Sequence, residues 1–255
     1  MNFGPLYSSG YDLLNEGKNY SAEMDFVFET ISSISGSRFE PKSAIDFGCG
    51  SGKHLAQLGS SVSKVFGVDR SAEMLAIAES KLPKSYQLVN SEIGEFKSSE
   101  KFELVMSLFH VASYQTTVPE IMSYWRSLSQ CLSDDGYIFV DFWHRPPWES
   151  DPPVERLTEK SNSSVTVKRR SVPVVDLVQG IVDISIDVSF SSRDKPAESY
   201  TEKHRLRAFT ALEIQLASET MGLEVVKFGA WMDLEGNLEQ STWYGYVVLK
   251  KKNYN

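Results

Sequence analysis

Hydrophobic residues recur every three or four positions between residues 21 and 34, with polar residues between them. The apolar positions are Met24, Val27, Phe28, Ile31 and Ile34. This spacing places apolar side chains on one face of a helix. Ser21 is expected to cap the helix, because a serine side chain can accept a hydrogen bond from a free backbone N–H of the first turn.

Beyond this helix, short apolar runs alternate with helical patterns as far as residue 142. The runs predict strands over residues 43–47, 64–69, 86–89, 102–108 and 137–142. Helices are predicted over residues 54–58 and 71–82. A further helix is predicted from Thr117, whose side chain can form a capping box with Glu120. Alternating strands and helices are typical of a doubly wound, mostly parallel sheet.

The pattern changes after Trp143, where two Pro-Pro pairs interrupt regular structure. Three alternating segments rich in β-branched residues follow, over residues 164–175, 177–190 and 199–209. We interpret them as an antiparallel β-meander, because β-branched residues favour strands. The chain then returns to the first pattern, with a helix over residues 212–221 and strands over residues 224–228 and 242–249.

Two domains follow from these patterns. The first is an α/β domain with a seven-stranded, doubly wound and mostly parallel sheet, predicted over residues 1–143 and 208–255. The second is the inserted antiparallel β-meander, predicted over residues 144–207. We expect the insertion to bind a substrate or to mediate dimerisation.

Composition narrows the class of protein. The chain has 255 residues, of which 41% are hydrophobic and 24% charged, as in ordinary globular proteins. No apolar run approaches the ~18 residues that span a bilayer, and the N-terminus lacks the apolar core of a secretory signal. Two cysteines, Cys49 and Cys131, are too few for a disulfide framework. We therefore expect a reduced, cytoplasmic location without a membrane partner.

Charge is distributed unevenly. The formal net charge is −8, which disfavours binding to nucleic acid. Residues 145–207, however, contain 11 Lys and Arg residues against 10 Asp and Glu residues. Their basic side chains include Lys168–Arg170 and the trio Lys203, Arg205 and Arg207. They either line solvated strand faces or contact an anionic substrate.

A glycine-rich segment, Asp46-Phe-Gly48-Cys-Gly50-Ser-Gly52, joins the first strand to the following helical pattern. Ligands bind at this carboxyl edge of doubly wound sheets. A dinucleotide site would have its third glycine one place later, where Lys53 stands. Asp46 also places negative charge where a pyrophosphate would lie.

A carboxylate before the glycines suits a cationic ligand, such as the ammonium or sulfonium group of S-adenosylmethionine. Asp69 ends the second strand, where it can accept hydrogen bonds from both ribose hydroxyls. The glycine turn, its strand contexts and the two acids together favour S-adenosylmethionine over a nicotinamide cofactor or a purely structural turn.

The same residues resemble those of a known family. The segment from Asp46 to Leu55 is similar to motif I of class I S-adenosylmethionine-dependent methyltransferases, and Val68–Leu75 resembles motif II. The match is closest to the N,N-dimethyltransferases of deoxyamino-sugar biosynthesis, whose sugars are carried by thymidine diphosphate. Tyr11 to Glu23 resembles their N-terminal signature. Glycine N-methyltransferases share much of the outline.

The motifs and the resemblance together assign a set of residues to the cofactor. The set comprises Tyr20, Asp46, Gly48, Cys49, Gly50, Gly52, Asp69, Arg70, Met74, Glu92, Ile93, Ser107 and Leu108. Glu92 stands where the family usually has an aspartate that binds the adenine amino group, and it can form the same bond with a longer side chain. His110 and Val111 replace two small residues, which implies a bulkier wall around the transferred methyl group.

In this fold the methyl group faces the loop after the fourth strand, with the N-terminal segment closing over it. The resemblance therefore implies that His110, Tyr114 and Tyr11 are the catalytic candidates. A His or Tyr there can orient an amine or take its proton. His144 and His204 are expected to be structural and His54 to be exposed. No His or Cys spacing matches a metal site, so no metal is expected.

The resemblance implies methylation of the amino group of a nucleotide-linked amino sugar, with S-adenosylhomocysteine as the second product. Two alternatives stay open. One is O-methylation of a sugar or another small molecule. The other is a non-catalytic module that binds S-adenosylmethionine. A homodimer formed through the insertion is a further expectation from the resemblance.

Overall fold

The computed structural model describes residues 17–162, 165–192 and 197–252. These residues form two compact units. The larger comprises residues 20–147 and 208–252, and the smaller is built mainly from residues 148–207. Within the described ranges, no helix is long and apolar enough to cross a membrane.

Eleven strands are present in the described residues. Seven belong to the larger unit: β1 (Ser43–Phe47), β2 (Lys64–Asp69), β3 (Gln87–Asn90), β4 (Phe102–Ser107), β5 (Leu132–Trp143), β10 (Leu223–Ala230) and β11 (Tyr244–Lys251). Four belong to the smaller unit: β6 (Arg156–Ser161), β7 (Thr166–Asp176), β8 (Ile181–Ser191) and β9 (Glu198–Arg207).

The seven strands of the larger unit form one sheet in the order β3-β2-β1-β4-β5-β11-β10. The first five of these are parallel neighbours, whereas β11 runs antiparallel to both β5 and β10. The predicted seven-stranded, mostly parallel sheet is therefore confirmed. The chain order reverses beside β1, and ligands bind at the carboxyl edge of such a sheet at that position.

Four α-helices accompany these strands in the described part of the chain: α1 (Tyr20–Ser35), α2 (Ala72–Lys81), α3 (Val118–Cys131) and α4 (Ala211–Glu219). The predicted capping box begins α3, where Thr117 and Glu120 each accept the other's backbone N–H. Ser21 was expected to cap α1, but α1 begins at Tyr20, so Ser21 lies inside its first turn. The helix predicted over residues 54–58 is only one 3-10 turn, Leu55–Gln57.

Alternate residues of the central strands pack into two different cores. Ile45 and Phe47 lie in one cluster with side chains of α3 and α4. Ala44 lies in the other, with side chains of α1 and α2. The sheet is therefore covered by helices on both faces, which is why its parallel strands are almost continuously apolar.

The strand β5 is longer than the predicted segment 137–142. Leu132 pairs with Phe102, but the next paired residue, Tyr137, lies opposite Leu104. The four residues between them bulge from the ladder opposite a single residue of β4. Residues 134–136 belong to this bulge, which lies within one strand.

The smaller unit is an antiparallel sheet in the order β6-β7-β8-β9. Only three of these strands were predicted, because most residues of β6 are exposed and do not alternate between apolar and polar side chains. Its hydrophobic cluster includes Val167, Ile186, Val188 and Phe190.

Three of its basic side chains form ion pairs with acids of the same unit. Lys168 pairs with Glu159 at 3.2 Å, and Arg205 pairs with Asp183 at 2.7 Å. Arg170 pairs with Glu155 at 2.7 Å. All six side chains are about half exposed, and exposed pairs of this kind contribute little stability. For these three residues, the structure favours solvated strand faces over contacts to an anionic substrate.

Candidate functional site

The glycine-rich loop turns sharply at the carboxyl end of β1. Gly48 and Cys49 donate their backbone N–H groups to the carbonyl of Val68 on β2, at 2.7 and 3.1 Å. Gly48 has a φ of 79°, and a Cβ at this position would lie 2.5 Å from a methyl carbon of Val111. Only glycine fits here, since both the backbone conformation and the close approach exclude a side chain.

Asp69 is held in place by the loop and by the start of α2. Its Oδ2 accepts the backbone N–H of Gly50 at 2.8 Å, and its Oδ1 accepts that of Ser71 at 2.8 Å. An ionised carboxylate has about four acceptor positions. About two acceptor positions of Asp69 therefore remain for a ligand with adjacent hydroxyls.

Asp46 is the most unusual carboxylate of the site. Its side chain is 1% exposed, and neither oxygen has a hydrogen-bond partner among the described residues. The pKa of Asp46 is raised to about 7, chiefly because the carboxyl group is buried. The nearby His54 lowers this pKa, whereas Asp69 and Asp141 contribute to raising it. A buried carboxylate without partners is costly when charged, so this position suits the positive charge of a ligand.

His54 was expected to be exposed, but it is 6% exposed. Its Nε2 lies 2.6 Å from Oε2 of the buried Glu23 on α1. The expectation was wrong because the polar sequence around His54 gives no sign of a partner 31 residues away.

Tyr20 and Lys53 add to this contact between α1 and the glycine loop. The Tyr20 ring packs edge-on against the His54 ring at 5.0 Å. The Lys53 ammonium lies 5.2 Å from the centre of the Tyr20 ring. The first turn of α1 therefore contacts the loop through the Glu23–His54 hydrogen bond and two ring contacts.

Other cofactor candidates lie beneath or beside the loop. Ser107 is buried and donates its hydroxyl to the carbonyl of Phe47 at 3.0 Å, which ties β4 to β1. Leu108 and Cys49 are also buried, and burial raises the pKa of the Cys49 thiol. Gly52 has a positive φ, with a Cβ position 2.6 Å from Leu82.

The remaining cofactor candidates lie around Asp69. The carbonyl of Asp69 accepts hydrogen bonds from the Asn90 side chain and the Ser91 backbone, at 3.0 and 3.1 Å. These two hydrogen bonds fix the segment that leads to Glu92 and Ile93. Glu92 is exposed, and Ile93 begins a 3-10 turn. Arg70 is exposed, and its guanidinium lies 5.7 Å from the centre of the Tyr114 ring. The terminal methyl of Met74 would lie 3.5 Å from a Cβ at Gly50.

The loop after β4 carries two of the catalytic candidates. Tyr114 ends the 3-10 turn Val111–Tyr114 and is 36% exposed. Phe109 and His110 both have positive φ values, of 68° and 60°. Consecutive non-glycine residues in this conformation are strained, and such strain occurs preferentially at functional sites. Tyr11, the third candidate, lies outside the described residues.

His110 is held by two side chains that the sequence did not single out. Oδ1 of Asp141 on β5 accepts the His110 backbone N–H at 2.9 Å. Oδ2 of the same carboxylate lies 3.0 Å from His110 Nδ1. The Tyr244 ring stacks on the His110 ring, with centres 4.7 Å apart and planes inclined by 16°. The signal for Asp141 was a single carboxylate inside the apolar strand segment 137–142.

The other two histidines lie outside the loop after β4. His144 is buried, and its Nδ1 lies 2.9 Å from the carbonyl oxygen of Thr242. Burial lowers its pKa. His204 lies on β9, with Nε2 3.1 Å from Glu202. No group of three or more potential metal ligands occurs within the described ranges.

Comparison with known proteins shows which proteins the chain resembles. Residues 44–136 match the family model described as a methyltransferase domain. The chain is 26% identical over 222 residues to the dTDP-3-amino-3,4,6-trideoxy-alpha-D-glucopyranose N,N-dimethyltransferase of Streptomyces venezuelae. This match covers 84% of the chain and 89% of the relative.

Solved structures share the fold over nearly the whole chain. DesVI of Streptomyces venezuelae matches with a TM-score of 0.81 and 23% identity, covering 98% of this chain and all of that one. CalS10 of Micromonospora echinaspora, a SAM-bound amino pentose methyltransferase, matches with a TM-score of 0.77 and 21% identity, covering 99% of each chain.

The fold is that of the Rossmann-like methyltransferases, as the sequence motifs predicted. Residues 44–136 match a methyltransferase domain, and the chain as a whole is similar to S-adenosylmethionine-dependent methyltransferases of known structure.

The Glu23–His54 pair gives a prediction about stability. Replacement of Glu23 by alanine should lower the free energy of unfolding by about 3–5 kcal/mol, because it leaves a buried partner uncompensated. Urea unfolding followed by circular dichroism measures this loss. The matched control is Glu100→Ala. The Glu100 carboxylate lies 2.7 Å from the Lys64 ammonium, but the Glu100 side chain is 49% exposed and the Lys64 side chain is 37% exposed. The control should lose no more than about 1 kcal/mol, and equal losses in the two variants would contradict the structural role.

Proposed function

We propose that the protein transfers a methyl group from S-adenosylmethionine to the amino group of a nucleotide-linked amino sugar. The buried Asp46 carboxylate, which has no partner among the described residues, supports the cofactor. The acceptor is supported by relatives named as N,N-dimethyltransferases of dTDP-linked amino sugars, two of which match over 84% of the chain.

S-adenosylmethionine supplies a methyl group made electrophilic by its sulfonium sulfur and leaves as S-adenosylhomocysteine. In the proposal Asp46 attracts the positively charged end of the cofactor. Asp69 accepts hydrogen bonds from the ribose hydroxyls, and Glu92 accepts one from the adenine amino group. The glycines let the backbone approach the cofactor closely. The proposed reaction uses no metal.

On the acceptor side, the proposal assigns orientation to His110, Tyr114 and Tyr11. Methyl transfer to nitrogen is an in-line displacement, so its rate depends on alignment and on a neutral amine. The loop after β4 holds His110 and Tyr114 at the carboxyl edge of the sheet, beside β1. We propose a small-molecule acceptor with no nucleic-acid partner. Assembly as a homodimer through residues 144–207 stays a prediction.

The proposed acceptor is tested by the release of S-adenosylhomocysteine. We expect release with a dTDP-linked amino sugar and none with the matched sugar that carries a hydroxyl in place of the amine. Release with the hydroxyl sugar alone would instead identify an O-methyltransferase. Cofactor binding without release on any acceptor would identify a non-catalytic module.

The role of Asp46 is tested by the pH dependence of cofactor binding. The pKa of Asp46 is raised to about 7, and only its ionised form attracts a cation. Affinity for S-adenosylmethionine should therefore rise with pH through this value and then level off. At about pH 6 it should be roughly tenfold weaker than on the plateau.

Isothermal titration calorimetry measures this dependence, and the control is Asp46→Asn. The variant should bind weakly, with an affinity that does not change over the same pH range. A wild-type affinity that is constant from about pH 6 to pH 8 would contradict the proposed contact.

A further inference from the structure

Asp141 is a buried carboxylate with no assigned role, and both of its oxygens face one residue. It is 1% exposed, whereas the His110 side chain is 21% exposed. We propose that Asp141 is a positioning residue that fixes the tautomer of His110, so that Nε2 takes a proton from the acceptor's ammonium group. This inference rests on the proposed function, because it assumes an amine acceptor.

The nearby carboxylate favours one tautomer of His110. Asp141 Oδ2 lies 3.0 Å from His110 Nδ1, without forming a hydrogen bond to it. A negative charge at this distance repels a nitrogen lone pair and attracts an N–H group, so the neutral imidazole is expected to carry its proton on Nδ1 and its lone pair on Nε2. A carboxylate opposite Nδ1 also stabilises the imidazolium that forms when Nε2 takes up a proton.

The ring has little freedom to leave this position. The backbone N–H of His110 donates to the other oxygen of Asp141 at 2.9 Å, so the carboxylate holds the residue at two points. Tyr244 on β11 stacks on one face of the ring at 4.7 Å. The Trp143 ring lies edge-on at 6.3 Å. These contacts also maintain the strained backbone of Phe109 and His110.

The charged and titratable groups around His110 favour a cationic acceptor. Asp141 faces it from β5 and Tyr244 from β11. The buried Asp46 on β1 is close enough to Asp141 for the two carboxylates to repel each other. The region therefore has an excess of negative charge, which attracts an ammonium ion.

The acceptor arrives as an ammonium ion, and one of its protons moves to His110 Nε2. The nitrogen lone pair released in this way forms the new N–C bond to the methyl carbon. The electron pair of the breaking C–S bond stays on sulfur. His110 then loses its proton to water.

The tautomer can be measured in the unsubstituted protein without cofactor or acceptor. Two-dimensional ¹H–¹⁵N correlation spectra distinguish Nδ1–H from Nε2–H, and His110→Asn identifies the resonances among the four histidines. We expect neutral His110 to carry its proton on Nδ1. An Nε2–H tautomer would overturn the proposal, and this readout needs neither a folded Asp141 variant nor a known acceptor.

Replacement of Asp141 by asparagine should reverse the tautomer. The amide oxygen can still accept the His110 backbone N–H, while the amide NH₂ faces Nδ1 and donates to it. The remaining ring proton then moves to Nε2, which can no longer act as a base. We expect kcat to fall about 10- to 100-fold, with unchanged cofactor affinity. A thermal melt and the cofactor titration verify that the variant is folded.

The pH profile separates this role from a merely structural one. Above the pKa of the acceptor amine no proton needs to be removed. The difference in kcat between the wild-type enzyme and Asp141→Asn should therefore become smaller as pH rises. A deficit of constant size at every pH would overturn the proposal. The matched control is Asp135→Asn, at an exposed position of the β5 bulge, which should match the wild-type enzyme throughout.

The outcomes distinguish the two proposals. If the Nδ1–H tautomer is found but only hydroxyl acceptors react, the acceptor assignment fails, and the Asp141→Asn loss should then exceed about 10³-fold. If amines react and the variant shows no deficit, the role of Asp141 fails and the acceptor assignment stands.

Discussion

The site is organised around the cost of burying the Asp46 carboxylate. Three parallel strands of the sheet end in or near a carboxylate at the same edge: Asp46 on β1, Asp69 on β2 and Asp141 on β5. Backbone N–H groups satisfy Asp69 and Asp141, but Asp46 has no partner among the described residues. In the proposed function, the cationic end of the cofactor stabilises the charge of Asp46, so cofactor binding and the ionisation of Asp46 favour each other.

The loop that follows Asp46 depends on the same packing. Gly48 must be glycine because Val111, from the loop after β4, occupies the space of a side chain. The glycine-rich loop and the loop after β4 are therefore in contact, and a side chain at position 48 would displace Val111. Glu23 and His54 fix the glycine loop from the side of α1. The binding edge is thus assembled by contacts between distant segments of the chain.

This explains what the sequence could and could not predict. Buried parallel strands appear as apolar runs, so β1 and β2 were predicted with the observed bounds. Capping of α3 is local and was also predicted. The strand β6 was missed because it lies exposed at an edge of its sheet. The partners of His54 and His110 were missed because each lies 31 residues away, and local periodicity carries no information about such pairs.

The two histidine–carboxylate pairs illustrate how burial separates structure from chemistry. In the Glu23–His54 pair both side chains are almost fully buried, at 11% and 8% exposed. A substrate therefore has little access to the His54 ring, and the pair holds the glycine-rich loop in place. In the other pair the Asp141 carboxylate is buried, but the His110 side chain is 21% exposed. Both pairs consist of an imidazole ring and a carboxylate, and the difference in exposure is the reason why we assign the proposed proton transfer to His110 and not to His54.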